Sequence, residues 1–262
     1  MVDLGGIDVG WTVLALLLLA ALLAGFVDAV VGGGGLIQLP ALLLVPGISP
    51  VQALATNKLG SVFGTFTSAI TYFRRVGPDL RTALPMAAVA FTGSAGGAPL
   101  ASLLPAQLFR PIIVVALIGV ALYTWRRPTL GAATALRFTG RQHLGVALGV
   151  GTVIGFYDGI LGPGTGSFLI FALVGLLGYD FLQASAKAKI VNVATNLGAL
   201  AVFVPQGHVL WLLGVGMGLA NMTGGYLGAR TAVARGAGFV RVFFLVVVSA
   251  LIARLAWQIL SP

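Results

Sequence analysis

Four charged residues lie inside long apolar stretches of the sequence, where ionisable side chains are costly and usually serve a function. Lys58 and Lys189 each lie about two turns into a predicted helix and could balance the charge of a bound anion. Asp28 and Asp158 could relay protons, pair with a buried lysine, or hold unwound backbone. Snorkelling toward the membrane surface is an equal alternative for both lysines and the favoured interpretation of Lys187.

A cluster of glycines follows each aspartate and predicts that the chain unwinds there. The two clusters, with their accompanying hydroxyl residues, are Gly32, Gly33, Gly34 and Gly35, and Gly162, Gly164, Thr165, Gly166 and Ser167. Consecutive glycines disfavour a helix, and unwound backbone persists inside a membrane only where protein or a water-filled cavity covers it. The short helix that restarts after each break presents free N–H groups and a positive dipole end, which favour an anion. Close packing with a tight turn is the alternative explanation.

Polar side chains on two further predicted helices complete the candidate site. Helical spacing places the lysine of each set on a common face with its polar neighbours: Lys58 with Ser61, beside Asn57, and Lys189 with Asn192 and Asn196. These residues and the glycine clusters form the predicted substrate-binding set, with Asp28 and Asp158 as coupling or structural residues. The chain has no cysteine and two histidines, so neither a metal site nor a cofactor is predicted, and no nucleophile indicates an enzyme.

Composition predicts an all-α polytopic membrane protein. Of 262 residues, 58% are hydrophobic and 8% charged, whereas a soluble domain carries about 25% charged residues. The predicted apolar segments are 11–31, 35–46, 50–73, 82–104, 108–125, 143–161, 166–178, 182–204, 209–228 and 239–260. Segments 35–46 and 166–178 are too short for a full span of about 20 residues, and we expect them to be the broken helices. The net charge of +9 falls in short loops, so we expect no nucleic-acid partner.

The two halves of the chain repeat one another. Gly25-Phe26-Val27-Asp28 matches Gly155-Phe156-Tyr157-Asp158 at an offset of 130, and Lys58 matches Lys189 at an offset of 131. We therefore predict a first membrane repeat over 1–128, a cytoplasmic linker over 129–142 and a second repeat over 143–262. Internal duplication with paired discontinuous helices is typical of secondary transporters, which bind substrate near the midplane.

Positive charge predicts that the two repeats, of about five helical segments each, are inverted. With every segment counted as a crossing, the three arginine-rich loops fall inside. The first loop holds Arg74, Arg75 and Arg81, the central loop holds Arg126, Arg127, Arg137 and Arg141, and the third holds Arg230, Arg235 and Arg241. The corresponding outside loops hold only Arg110. Both chain termini are then outside. If the short segments were re-entrant, the repeats would be parallel and Arg230 and Arg235 would lie outside, which argues against that version.

The paired motifs resemble those of the sulfite exporter TauE/SafE family of membrane transporters over nearly the whole chain. In the first half these are Gly25 to Asp28, Gly32 to Ile37, Pro40, Ala55 to Lys58, Tyr72 and Arg74. In the second half they are Gly155 to Gly159, Gly162 to Ser167, Ala188-Lys189, Asn192 and Asn196 to Leu200. The resemblance implies transport of sulfur-containing anions such as sulfite or organosulfonates across the inner membrane, often as export.

Together, the residues and the resemblance predict a multi-pass secondary transporter, an exporter of a small sulfur-containing anion, in the cell (inner) membrane. The anion would bind at the midplane between the repeats, and access would alternate between the two sides. A passive anion channel and a membrane carrier that delivers a sulfur anion to a partner enzyme are the alternatives. The expected partners are the anion and the lipid bilayer, and the sequence leaves a homodimer open.

Overall fold

The computed structural model describes residues 2–3, 8–103 and 131–260 and consists almost entirely of helices. Strands β1 (Val2–Asp3) and β2 (Asp8–Val9) form a short antiparallel pair. Within the described residues, eight α-helices follow: α1 (Trp11–Val31), α2 (Gly35–Leu43), α3 (Pro50–Val76), α4 (Leu80–Gly97), α5 (Gly140–Ile160), α6 (Thr165–Ala172), α7 (Phe181–Phe203) and α8 (Trp211–Leu260). A 3₁₀ turn (Ala98–Ser102) extends α4, and a π-helical turn (Leu173–Leu177) extends α6. The predicted all-α membrane fold is confirmed.

The predicted segments agree with the helices except at a few places. The two last segments, predicted over 209–228 and 239–260, are two helices within the range of α8: the first continues to Arg235, and Gly236 breaks the helix at a kink (φ 75°, ψ −176°). The linker predicted over 129–142 already becomes helical at Gly140. Segment 108–125, which includes Arg110, lies outside the described residues, as do Arg126 and Arg127.

Polar caps explain where the long helices begin. Ser49 and Gln52 form a reciprocal capping box at the start of α3, with Pro50 at the first helical position. Asp79 caps α4, and Asp180 caps α7 by accepting hydrogen bonds from two backbone N–H groups. These caps satisfy backbone donors that a helix start would otherwise leave unpaired.

The two halves of the chain are interleaved through α4 and α8. Helix α8 of the second half packs on α1 and α3 of the first, and α4 of the first half packs on α5 and α7 of the second. Small residues permit close backbone contact: Gly224 meets the carbonyl of Leu22, and Gly155 lies against Ala90. Each half of the chain therefore covers helices of the other half.

The described helices meet at two ends of the bundle. At one, which we call the arginine end, α4, α5 and α7 begin and α3 ends. Here the Ala135 N–H donates to the Gly178 carbonyl (2.7 Å), and the Gln183 amide donates to the Val76 carbonyl (3.4 Å). The ends of α3, α4 and α5 bring Arg74, Arg75, Arg81 and Arg141 to this end.

At the opposite end, α1, α3 and α8 begin, and α4 and α7 finish. The Leu210 N–H donates to Thr56 Oγ1 (3.1 Å), and Val9, Ile48 and Ala101 share an apolar cluster there. The corresponding helices α1 and α5 thus begin at opposite ends of the bundle. This arrangement favours inverted repeats, which remain a prediction.

Among the described helices, three are long and apolar enough to cross a membrane by length and composition alone: α1, α5 and the Trp211–Ala250 part of α8. Helices α3 and α7 have 27 and 23 residues, which is sufficient length, but each carries a line of buried polar residues. Those polar residues face the interior of the bundle, where the candidate site lies.

Candidate functional site

The two predicted helix breaks lie against each other at the centre of the bundle. Gly32 ends α1 in the left-handed conformation (φ 78°), and Gly164 begins α6 in the same region (φ 85°). The Ser167 N–H donates to the Gly32 carbonyl (3.1 Å), and Ser167 Oγ donates to the Val31 carbonyl (2.8 Å). A Cβ at Gly166 would lie 2.5 Å from Gly32 Cα, so glycine is required for this crossing.

A small polar cavity opens beside the crossing. Its lining residues come from both halves of the chain, and every one belongs to the set predicted from sequence: Asp28, Gly32, Gly35, Asn57, Lys58, Ser61, Asp158, Gly162, Gly164, Thr165, Gly166, Asn192 and Asn196. The enclosed part of the cavity has room for about one water molecule. Its polar lining is suited to a small ion, which requires the site to widen.

Four predicted residues do not line this cavity. Gly33 is buried within the first break, and Gly34 lies behind it, where a Cβ would meet Asp28 Cβ. The side chain of Ser167 joins the two breaks. Lys189 lies behind Asp28. These four residues lie behind the residues that line the cavity and do not contact the cavity themselves.

Both intramembrane lysines form ion pairs, and each pair joins one half of the chain to the other. Lys58 Nζ lies 2.5 Å from Asp158, and Lys189 Nζ lies 2.7 Å from Asp28. Lys58 is 1% exposed and Lys189 is 0% exposed, so the snorkelling alternative is wrong for both. The formal charges of the two lysines and the two aspartates cancel, which makes the site electrically neutral.

The aspartates also hold the backbone near the breaks. Asp28 Oδ1 accepts a long hydrogen bond from the Gly34 N–H (3.4 Å), and Ser94 Oγ lies 3.5 Å from Asp158 while donating to the Thr195 carbonyl (2.7 Å). Lysine pairing and backbone support, which the sequence left as alternatives, are therefore both present at Asp28.

Unpaired backbone donors remain at the cavity. Among the described residues, the N–H groups of Gly35 and Gly166 have no hydrogen-bond partner, and they lie in the first turns of α2 and α6. Both glycines line the cavity, where the positive dipole ends of the two short helices converge. Thr165 Oγ1 donates to the Gly162 carbonyl (2.7 Å), so this hydroxyl offers only its oxygen to a ligand. Unpaired N–H groups beside a lysine are suited to an oxyanion.

Sequence reasoning missed several polar residues around the site. Ser94 gave no motif signal beyond its neighbouring glycines. Asn221 donates to Gln38 Oε1 (2.8 Å) and to the Ala21 carbonyl (3.0 Å), which ties α8 to α2 and α1. An asparagine in the middle of a long apolar helix is itself a signal of a buried contact, and it could have been found.

The interpretation of Lys187 as a snorkelling residue is wrong. Its side chain is buried at 1% exposure, and Nζ lies 4.5 Å from the centre of the Tyr179 ring. The loop that precedes α7 folds over this lysine, because Gly178 turns the chain in the left-handed conformation (φ 86°). Distance from the helix start therefore did not reveal the covering loop.

The fold and the cavity define a polytopic helical membrane protein with a polar site at the contact of two broken helices. The chain matches the sulfite exporter TauE/SafE family over residues 17–255, and it belongs to that family. The resemblance in the sequence motifs is thereby confirmed.

Named relatives cover almost the full chain. The probable membrane transporter protein ORF9 of Sinorhizobium sp is 40% identical over 253 residues, which are 95% of this chain and 94% of the relative. The probable membrane transporter protein YfcA of Escherichia coli is 36% identical over 246 residues (94% and 90%), and a probable membrane transporter protein of Haemophilus influenzae is 34% identical over 251 residues (96% and 97%). No solved structure matches the chain.

Proposed function

We propose that this protein is a secondary transporter of a small sulfur-containing anion such as sulfite or an organosulfonate, working as an exporter in the inner membrane. The observation that carries the proposal is the contact of two broken helices beside a cavity lined by both halves. The family description and the transporter names of the relatives support the transport class. Nothing in the geometry requires catalysis.

The anion would bind between the free N–H groups of Gly35 and Gly166, with Asn57, Asn192 and Lys58 nearby. Because Asp158 already pairs with Lys58, an anion must compete with that carboxylate for the lysine. Protonation of Asp158 would remove this competition and release a lysine charge to the ligand.

Alternating access would come from movement of one interleaved unit against the other. The ion pairs and the Gly32–Gly166 crossing both join the halves, so they lie where such a movement is centred. With the arginine end in the cytoplasm, as the positive-inside rule requires, the opposite end and both termini are outside.

Flux assays on purified protein in liposomes test the proposal. We expect saturable sulfite flux that is accelerated by sulfite or a short sulfonate on the far side, and weaker flux of bulky sulfonates. A passive channel would instead give unsaturated flux without acceleration from the far side. Absence of flux for sulfite, thiosulfate, sulfate and short sulfonates alike would contradict the proposed substrate class.

Two double variants, one for each ion pair, distinguish the two lysines by their position relative to the cavity. Replacing the cavity pair together, Lys58→Met with Asp158→Asn, should abolish binding of the anion. The same exchange at the other pair, Lys189→Met with Asp28→Asn, also leaves the site neutral, and because Lys189 lies behind Asp28 it should weaken binding less. Equal loss in both double variants would contradict the assignment of Lys58 as the lysine that contacts the anion.

A further inference from the structure

A second polar cluster, buried except for Asp79, lies at the arginine end, away from the cavity. His143 Nε2 lies 2.9 Å from the Tyr179 hydroxyl, which lies 3.4 Å from Thr82 Oγ1. Thr82 Oγ1 in turn donates to Asp79 (2.7 Å), and Lys187 Nζ lies over the Tyr179 ring. We call these five residues the His143 cluster.

Two polar atoms of this cluster are buried and unpaired. Lys187 Nζ and His143 Nδ1 have no hydrogen-bond partner among the described residues. The Tyr179 ring supplies Lys187 with a cation–π contact, and the carboxylates of Asp79 and Asp180 are within electrostatic range. An unpaired buried lysine is costly, so its retention here calls for a function.

The cluster breaks the symmetry of the two halves. At the offset of 131 that relates Lys189 to Lys58, Lys187 corresponds to Thr56 and Tyr179 corresponds to Ile48. At the opposite end, Thr56 accepts a hydrogen bond from Leu210, and Ile48 belongs to an apolar cluster. One end of the bundle is thus closed by ionisable residues and the other by apolar contacts.

We propose that the His143 cluster is a proton-binding latch that closes the arginine end and opens when His143 takes up a proton. This role rests on the proposed transport function, because a latch of this kind regulates access to the cavity. The ligand of this second site is the proton, and neither the family nor the cavity assigns it.

Electrostatics gives the direction of the change. The carboxylate of Asp79 offsets the charge of Lys187, so a proton on His143 gives the cluster a net positive charge, and both ring nitrogens then become donors. Nε2–H can donate to Tyr179, but Nδ1–H has no acceptor in the closed arrangement. Opening exposes His143 and Lys187 to water, which hydrates both charges, so acidification of this side favours the open end.

The surrounding groups provide a route for the proton and do not cancel its charge by direct contact. Partial burial alone would raise the pKa of Asp79, but hydrogen bonds from Thr82 and the Arg81 N–H, with the charge of Lys187, lower that pKa below its ordinary value. Asp79 is exposed and is linked through Thr82 and Tyr179 to the buried histidine. Asp180 accepts hydrogen bonds from Thr134 and from the start of α7. Arg137 and Arg141 are exposed to solvent. The segment from Thr165 to Gly178 contains no ionisable residue.

Thiol labelling of the full chain in nanodiscs tests the latch, because the natural sequence has no cysteine. Ser185→Cys places a nearly isosteric thiol at a fully buried position one turn into α7 at the arginine end, on the side that faces Tyr72. When the pH is lowered from about 7.5 to about 5.5, labelling of this cysteine by a small impermeant reagent should rise severalfold as the latch opens. Gln142→Cys, at an exposed position, corrects for the pH dependence of the reagent itself.

Histidine variants make the result specific. In the Ser185→Cys background, His143→Gln should abolish the corrected rise, and His208→Gln, which changes the other histidine of the chain, should retain it. Lys187→Met should reduce the rise, because it removes the charge that repels the protonated histidine. Tyr179→Phe should increase labelling already at neutral pH, since it removes the hydroxyl that links α4 to α5.

The proposal is overturned if labelling does not rise on acidification, or if the rise persists in His143→Gln. His143→Asn serves as a second test if His143→Gln does not purify as a single species. Labelling requires neither an anion nor flux, so its outcome is separate from that of the transport assay. A pH-dependent latch without sulfite flux would contradict the substrate, and sulfite flux without the pH dependence would contradict the latch.

Discussion

At the scale of residues, the candidate site is a set of paired charges whose members come from different halves. The duplicated motifs predicted all thirteen cavity-lining residues, because a repeat places equivalent residues at a shared centre. The pairing itself could not be predicted in the same way. The offset relates Lys58 to Lys189 and Asp28 to Asp158, whereas the contacts join Lys58 to Asp158 and Lys189 to Asp28. Sequence equivalence identifies counterparts and does not identify contacts.

Removal of one member of the cavity pair should destabilise the protein more than removal of both. Lys58→Met alone leaves the Asp158 carboxylate buried without its partner, which costs about 3–5 kcal/mol in typical proteins. Adding Asp158→Asn to that variant should recover a large part of the loss. Thermal unfolding of the purified single and double variants in one detergent measures the difference. Additive losses in the double variant would show that the two charges act independently.

At the scale of elements, the breaks in the helices were predictable and the packing around them was not. Glycine clusters placed α2 and α6 correctly, because backbone propensity is local. Tertiary packing determines two other features. One is the loop that covers Lys187, and the other is the continuation of α8 through 229–235. Local sequence therefore carries no strong signal for either.

The glycine at the crossing of the two breaks should not tolerate a side chain. Gly166→Ala places a methyl group against the backbone of Gly32, so we expect lower thermal stability and loss of anion binding. Gly149→Ala is the control, because a Cβ at this exposed position in α5 meets no atom within 4 Å, and alanine favours a helix by up to about 1 kcal/mol. Equal unfolding temperatures for the two variants would rule out a tight crossing.

At the scale of the whole molecule, the bundle separates its charged and apolar ends. The positive-inside pattern anticipated this separation, and the contacts among α3, α4, α5 and α7 gather most of the described arginine-bearing helix ends at one side. The polar His143 cluster lies at the same end, a feature that charge counting alone did not reveal.

Two exposed glutamines offer a direct test of orientation. Gln142 lies at the arginine end and Gln206 lies in the loop between α7 and α8 at the opposite end. In intact cells, an impermeant thiol reagent should label Gln206→Cys and should label Gln142→Cys only after the membrane is made permeable. The reverse pattern would place both chain termini in the cytoplasm and contradict the predicted topology.

The interleaving of the two halves has a consequence for how the protein is made. Helices α1 and α3 leave the ribosome long before α8, which begins at Trp211 and packs against both of them. During synthesis, the small-residue surfaces of Gly25 and Gly64, which α8 later occupies through Asn221, face lipid or the insertion machinery. The first half therefore reaches its final packing only when the second has been inserted, so assembly is completed at the end of translation and not one half at a time.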